Sequence, residues 1–215
     1  MKINDLKYWN NFYGNKNPKS LSSNFAKFIK KKFVNKNTNI LEIGTGNGRD
    51  AFYFEKYAKN IIAIDQSKII INKNRLKSKR LKIKKLDFKV LSVNKIKSMK
   101  KKKSINLIYA RFFLHSIDLK KENIFLKNLW NFNNINPYIA LEFRTIKDPL
   151  MKKGKKLSKF ERYTDHYRRF IDPKVFEKKI LDMGFKIIYK KLGINLSKTK
   201  NDNPHLCRIV FKKWY

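Results

Sequence analysis

At 215 residues and 42% hydrophobic side chains, the chain suits one folded domain with a full core and is too apolar for a disordered segment. One cysteine, Cys207, excludes an internal disulfide and a multi-cysteine metal site, and no apolar run approaches the roughly 20 residues that span a membrane. The formal charge of +37 invites a nucleic-acid partner, but 44 lysines against 9 arginines, beside 24 asparagines, 25 isoleucines and 6 alanines, follow A/T-rich codon usage and spread along the whole chain.

The first residues, Met1-Lys2-Ile3-Asn4-Asp5, form no apolar signal core, so a cytoplasmic protein is expected. Residues 5–13 carry Leu6, Tyr8, Trp9, Phe12 and Tyr13 in a predicted helix. A second helix runs from Ser22 to Val34, capped by Ser22 or Ser23, with Phe25, Phe28, Ile29 and Phe33 at helical spacing. Residues 1–36 thus read as a helical cap on the domain.

The organising stretch follows. Residues 39–44 are a strand that breaks into Gly44-Thr45-Gly46-Asn47-Gly48-Arg49. An amphipathic segment (Ala51, Phe52, Phe54, Tyr57, Ala58) leads to a second strand, Asn60 to Asp65. Strand, glycine loop, helix, strand and carboxylate make one parallel crossover unit. Such glycines bring a ligand against the main chain, and the first helical turn offers N–H groups to an anion. Asp65, 21 residues after Gly44, can accept both hydroxyls of a ribose. A dinucleotide fold needs its third glycine at position 49, which is Arg49, and no G-K-[ST] triphosphate motif is present.

The pattern E-x-G-x-G-x-G, from Glu42 to Gly48, resembles the first motif of the class I S-adenosylmethionine-dependent methyltransferases. That resemblance implies S-adenosyl-L-methionine as cofactor, held by Glu42, Gly44, Thr45, Gly46, Asn47, Gly48, Asp65 and Gln66. It also implies an N-terminal helical segment over the cofactor, with Tyr8, Trp9 or Tyr13 covering the adenosine or the sulfonium.

Ser67 starts a helix to about Ser78, and a third strand lies within Leu81 to Val93. The family often has an acidic residue at that strand's end for the adenine amino group. Ser92 occupies the best-aligned position here, with Asp87 five residues earlier. Lys100–Lys103 reads as a solvated turn. The fourth strand, Ile105 to Ala110, runs into Arg111-Phe112-Phe113-Leu114-His115-Ser116, and a doubly wound sheet places this end at the ligand. Arg111 is accordingly a cofactor candidate. The segment lacks the N/D-P-P-Y/F/W motif of enzymes that methylate base amines, and it has no thiolate for cytosine-C5 chemistry.

A helix from Leu119 to Phe132, a fifth strand from Tyr138 to Arg144, and a helix opened by Asp172-Pro173 and closed near Gly184 come next. Phe185 to Tyr189 and Leu206 to Phe211 are the last strands. The fold class is α/β: a Rossmann-like, doubly wound, seven-stranded sheet, mostly parallel with an antiparallel last strand, and helices on both faces.

The stretch 147–170 is too long for a tight connection and reads as an insertion over the acceptor site. Four of the nine arginines lie between Arg144 and Arg169. Arg144, Tyr163, Tyr167, Arg168 and Arg169 are the substrate-binding candidates, since arginine forks suit phosphate or carboxylate. A hydroxyl acceptor needs its proton removed, so His115 or His166 is the candidate base, with Asp165 orienting a histidine or acting itself. His205 is a poorer candidate, and no metal is expected.

Three segments, Tyr-Ala-Arg-Phe-Phe-Leu-His-Ser, Glu-Phe-Arg-Thr-Ile-Lys-Asp-Pro-Leu and Asp-His-Tyr-Arg-Arg-Phe-Ile, resemble a methyltransferase subgroup found among polysaccharide and glycan genes. They imply a small, anionic, sugar-type acceptor methylated on a hydroxyl. The alternatives are an RNA or protein methyltransferase that uses the basic surface, and a cofactor-binding protein without transfer activity.

Overall fold

The computed structural model describes residues 5–15, 21–99, 104–132, 136–199 and 201–214. Helices α1 (Asp5–Asn15) and α2 (Asn24–Phe33) precede the sheet. Ser23 caps α2 by accepting the Ala26 N–H at 3.0 Å, and α2 buries Phe25, Ala26 and Ile29. Strand β1 (Asn39–Ile43) leads through the glycine loop to the short helix α3 (Arg49–Phe54), then β2 (Asn60–Asp65), α4 (Lys68–Arg80) and β3 (Leu86–Val90). Strand β4 (Leu107–Arg111), helix α5 (Leu119–Trp130) and strand β5 (Tyr138–Arg144) complete the parallel part. Ser67 and Asp118 cap α4 and α5 by accepting N–H groups three residues on.

The sheet order is β3-β2-β1-β4-β5 followed by two later strands, β10 (Leu206–Lys213) and then β9 (Phe185–Gly193) at the far edge. Strand β1 is parallel to β2 and β4, while β10 is antiparallel to both β5 and β9. The order reverses between β1 and β4, and a ligand crevice belongs beyond the carboxyl ends of these two strands.

All five residues of β1 are buried, because helices cover both faces. Leu41, Ile43, Ile108 and Ala110 pack with Phe125 of α5 and with Phe176 of helix α6 (Pro173–Asp182). Ile40, Leu107 and Tyr109 pack on the other face with Phe25, Ile29, Ala51 and Phe54. Tyr109 is stacked by Phe25 at 5.1 Å and met edge-on by Phe54 at 5.0 Å. Glu42, between Leu41 and Ile43 on β1, therefore faces the α2–α3 side.

The stretch between β5 and α6 contains three short strands, β6 (Lys155–Lys156), β7 (Glu161–Tyr163) and β8 (Tyr167–Arg169), in a separate antiparallel sheet. Nothing in the sequence pattern marks strands in this stretch. The third strand also starts at Leu86, after a turn in which Lys82 takes φ +54°, and β9 runs on to Gly193. Lys100–Lys103 lies outside the described residues. Among the described residues no helix is long and apolar enough to cross a membrane.

Candidate functional site

The glycine loop is anchored on three sides. Gly44 N and Thr45 N donate to Ile64 O of β2 at 2.9 and 3.0 Å. Asp65 accepts the Gly46 N–H on Oδ2 and the Ser67 N–H on Oδ1, both at 3.0 Å. Asn74 of α4 donates from Nδ2 to Gly46 O at 2.8 Å. Gly46 has φ +52°, and a Cβ there would lie 2.5 Å from the Tyr13 hydroxyl. Gly44 has φ +67°, and its Cβ would meet the Phe113 ring at 3.1 Å. Helix α1 and the segment after β4 thus close on the loop from opposite sides.

Between them lies a cavity of about 350 Å³. Its wall includes Glu42, Gly44, Thr45, Gly46, Asn47, Asp65, Gln66, Ser92 and Arg111, nine of the ten positions expected at the cofactor. Gly48 stands just outside as the left-handed cap of α3. Trp9, Phe12 and Tyr13 of α1 also line it. Helix α1 is held in place by the Ser67 hydroxyl, which donates to Asn10 Oδ1 at 2.7 Å, and by Lys73 Nζ, which donates to Tyr13 O at 2.5 Å.

The carboxylates of the floor differ in environment. Asp50 accepts Ser23 N at 2.7 Å, Ser23 Oγ at 2.8 Å and the Tyr109 hydroxyl at 2.8 Å, so it is spent on tying α2, α3 and β4 together. Burial, and then the charge of Asp50, push the Glu42 carboxyl well above the usual range. Glu42 Oε2 and Thr45 Oγ1 are buried and neither makes an aligned hydrogen bond, although the Thr45 hydroxyl lies close enough to oppose the rise at Glu42. Burial also raises Asp65, against the opposing N–H groups of Ser67, Gly46 and Gln66.

Cations line the cavity as well. Arg111 Nε donates to Glu142 Oε1 at 2.9 Å, and the guanidinium lies 3.9 Å over the Phe112 ring. Glu142 is itself fixed by Arg208 Nε at 2.6 Å and Ser197 Oγ at 2.9 Å. Phe112 takes φ +55°, a strained backbone for a bulky residue, at the end of β4. Arg49 comes near enough for burial, then the charge of Arg111, to lower its pKa.

The remaining expected residues do not line the cavity. His115 is buried, and its Nδ1 accepts the Arg144 N–H at 3.3 Å. Burial and the charge of Arg144 hold it well below the usual imidazole range. His166 packs behind α1, 4.7 Å from the Tyr8 ring and 4.9 Å from the Trp9 ring. Its Nδ1 comes within 3.1 Å of Asp165 Oδ2, but without the alignment of a hydrogen bond. Burial works to raise Asp165, yet hydrogen bonds from Arg168, Thr164 and Tyr8 outweigh it and hold the carboxyl well below the usual range.

The expected substrate arginines have protein partners. Arg144 grips Asp148 at 3.0 and 2.8 Å and also pairs with Asp202. Arg169 donates to Ile117 O at 3.1 Å and pairs with Glu122. Arg168 bonds Asp165 at 2.6 Å, the Tyr167 hydroxyl donates to Glu161 at 2.5 Å, and Tyr163 is exposed.

Several lining residues carry little sequence signal: Arg49, which stands where a dinucleotide motif has glycine, and Ser116, Ile117 and Lys121. Among the described residues no group of three or more histidine, cysteine or acidic side chains is placed to hold a metal ion.

A methyltransferase-domain family profile matches residues 34–181. No curated protein matches the chain by sequence. A structure described as a S-adenosylmethionine-dependent methyltransferase from Methanosarcina mazei superposes with TM-score 0.73 at 16% identity, covering 86% of this chain and 96% of that one. One of the same description from Anabaena variabilis gives TM-score 0.71 at 15% identity, covering 97% and 93%. An rRNA methylase from Streptococcus thermophilus gives 0.57 at 10% identity, covering 88% and 94%. None of these names refers to glycan synthesis, so the comparisons lend no support to that subgroup. The chain belongs to the methyltransferase-domain family, and its fold is the Rossmann-like one of S-adenosylmethionine-dependent methyltransferases.

Proposed function

We propose that this methyltransferase-family protein transfers a methyl group from S-adenosylmethionine to a small, negatively charged acceptor, with a sugar or glycan precursor as the favoured class. The observation that carries the donor is the pair of buried atoms without an aligned hydrogen bond, Glu42 Oε2 and Thr45 Oγ1, beside a glycine loop that closes on a cavity. A buried polar atom without a partner costs roughly 1–3 kcal/mol, which a polar ligand repays. Glu42 would meet the cofactor's ammonium, Asp65 its ribose hydroxyls and Ser92 the adenine edge, while Arg111, across the switch between β1 and β4, would face the acceptor. Gly44 and Gly46 would let it lie against the main chain. Once bound, the cofactor supplies a methyl on a sulfonium that leaves readily. The protein's part is to hold the acceptor in line and keep water out, which Trp9, Phe12 and Phe113 suit.

The anionic character of the acceptor is supported by Arg49, Arg111 and Lys121 on the wall. The charge of +37 favours RNA as a second reading. Protein incubated with methyl-labelled cofactor, anionic sugars, glycan extracts and bulk RNA in parallel separates the two. Label in RNA alone sinks the small-acceptor reading, and absence of cofactor binding by calorimetry sinks both.

A further inference from the structure

All three histidines and the one cysteine of the chain stand off the cavity wall. His115 Nδ1 is occupied by the Arg144 N–H, His166 lies behind Tyr8 and Trp9, His205 Nδ1 is 2.6 Å from Thr145 Oγ1, and Cys207 is in the core. Among the described residues, the carboxylates on the wall are Glu42, Asp50 and Asp65. They belong to β1, α3 and β2, on the donor side of the switch between β1 and β4. Across that switch the wall is built from Arg111, Phe112, Phe113, Ser116, Ile117 and Lys121. The Ser116 hydroxyl donates to Phe112 O at 3.1 Å. Arg111 is pinned by Glu142 at 2.9 Å, and Glu142 is 1% exposed. Among the described residues, this half of the cavity combines a cation fixed by Glu142, a second cation that pairs with Asp118 at 3.4 Å, and apolar walls, and it carries no histidine, cysteine or carboxylate.

From this juxtaposition we infer that the accepting atom is a carboxylate oxygen, on a small molecule with a ring or apolar body, and that transfer uses no base from the protein. The inference rests on the methyl-donor reading above. A neutral hydroxyl would have to lose its proton to a group that the described residues on this side of the switch do not offer, and a thiol, with an ordinary pKa near 8.5, is mostly protonated at neutral pH. A carboxylic acid is already ionised there, and its two oxygens match a guanidinium fork. In the transfer, a carboxylate lone pair forms the new C–O bond while the methyl carbon–sulfur bond breaks with its electrons going to sulfur. An anion and a cation become a neutral ester and a neutral thioether, and no proton moves. Phe112, Phe113 and Ile117 exclude water from the carboxylate, and Arg111 orients it.

The test offers labelled cofactor with matched sets of small sugar and aromatic acids, alcohols and thiols, and with bulk RNA. Label in the acids, released by mild alkali as an ester would be, is the expected result. The rate should be flat between about pH 6 and 9, since the acceptor stays ionised throughout. Equilibrium binding of the same acids, titrated in the presence of S-adenosylhomocysteine, should weaken about tenfold or more in Arg111→Gln and less in Lys121→Met, which guards against a misfolded arginine variant. Label confined to alcohols, thiols or RNA overturns the inference. So does a rate that rises as a group titrates near pH 7, or no label in any acid by a protein that binds cofactor. Failure to bind S-adenosylmethionine at all removes the donor reading instead.

Discussion

Replacing Asp65 by alanine tests the donor side in two independent ways. The carboxylate accepts the N–H groups of Gly46 and Ser67, each at 3.0 Å, and so ties the glycine loop to the start of α4. A hydrogen bond to a charged group contributes about 1.5–3 kcal/mol, but desolvation of the carboxylate works against the sum. Burial raises its pKa, the sign of that penalty. The net loss of stability on Asp65→Ala is therefore about 2–4 kcal/mol, part of it from leaving the buried Gly46 N–H without a partner. Cofactor affinity should fall as well, by about 10- to 150-fold, if the ribose loses a charged acceptor worth about 1.5–3 kcal/mol. Asp65→Asn keeps one accepting oxygen but turns an NH₂ toward a backbone N–H, so it should recover at most about half the stability. Denaturant midpoints without cofactor measure the first effect, and calorimetric titration measures the second. An alanine variant with wild-type midpoint and wild-type affinity refutes both the loop-anchoring and the ribose role.

Arg144→Ala leaves Asp148 buried without its partner and should cost about 3–5 kcal/mol of stability; unchanged stability with weakened acceptor binding would return Arg144 to the substrate. Burial and then Arg168 lower His166 to about 4, and His115 is lowered in the same direction. A depressed imidazole contributes stability that is present above the unfolded value of about 6.5 and lost as pH falls through the folded value. Wild-type protein should thus lose stability between about pH 6.5 and 4, on the order of 3 kcal/mol from His166. His166→Phe should flatten that slope, and a wild-type midpoint that does not move over this range refutes the account. For Glu42 the sign is opposite: its raised carboxyl favours the protonated form, so its stability is present at low pH and lost as pH rises through the raised value. Glu42→Gln should therefore melt higher than wild type at about pH 8 without cofactor and gain less on adding it. A lower melting temperature for the glutamine variant under those conditions contradicts the buried-charge argument.

What was legible in the sequence is what local chemistry sets. Ser23, Ser67 and Asp172 each cap a helix within three residues of themselves, and the glycine loop follows a strand that is apolar but for Asn39 and Glu42. Strand β3 was blurred because it is the sheet edge: Asp87 and Val90 face outward and lysines replace the apolar period. The strands β6 to β8 were invisible because they span two or three residues each. The arginines mark the limit most sharply. Arg144 and Arg169 looked like ligand-binding forks; Asp148 lies only four residues from Arg144, but the further partners Asp202 and Glu122 are 58 and 47 residues away. Lys121, one of 44 lysines, reaches the cavity through the placement of α5 and not through any pattern of its own.

The strand order also explains the electrostatics of the site. Glu42, Asp50 and Asp65 fall on the β1–β2 side of the switch, and Arg111 with Lys121 on the β4 side. Arg111 is fixed by Glu142. It stands opposite Arg111 in the β4–β5 ladder, takes the Nε hydrogen bond from the far side, and is held in turn by Arg208 and Ser197. The division is partial, because Arg49 opens α3 among the acids, with its Nε 3.9 Å from Asp50. On the proposed reading, attraction between a cationic donor and an anionic acceptor takes the place of a proton transfer, and no histidine on the wall is required.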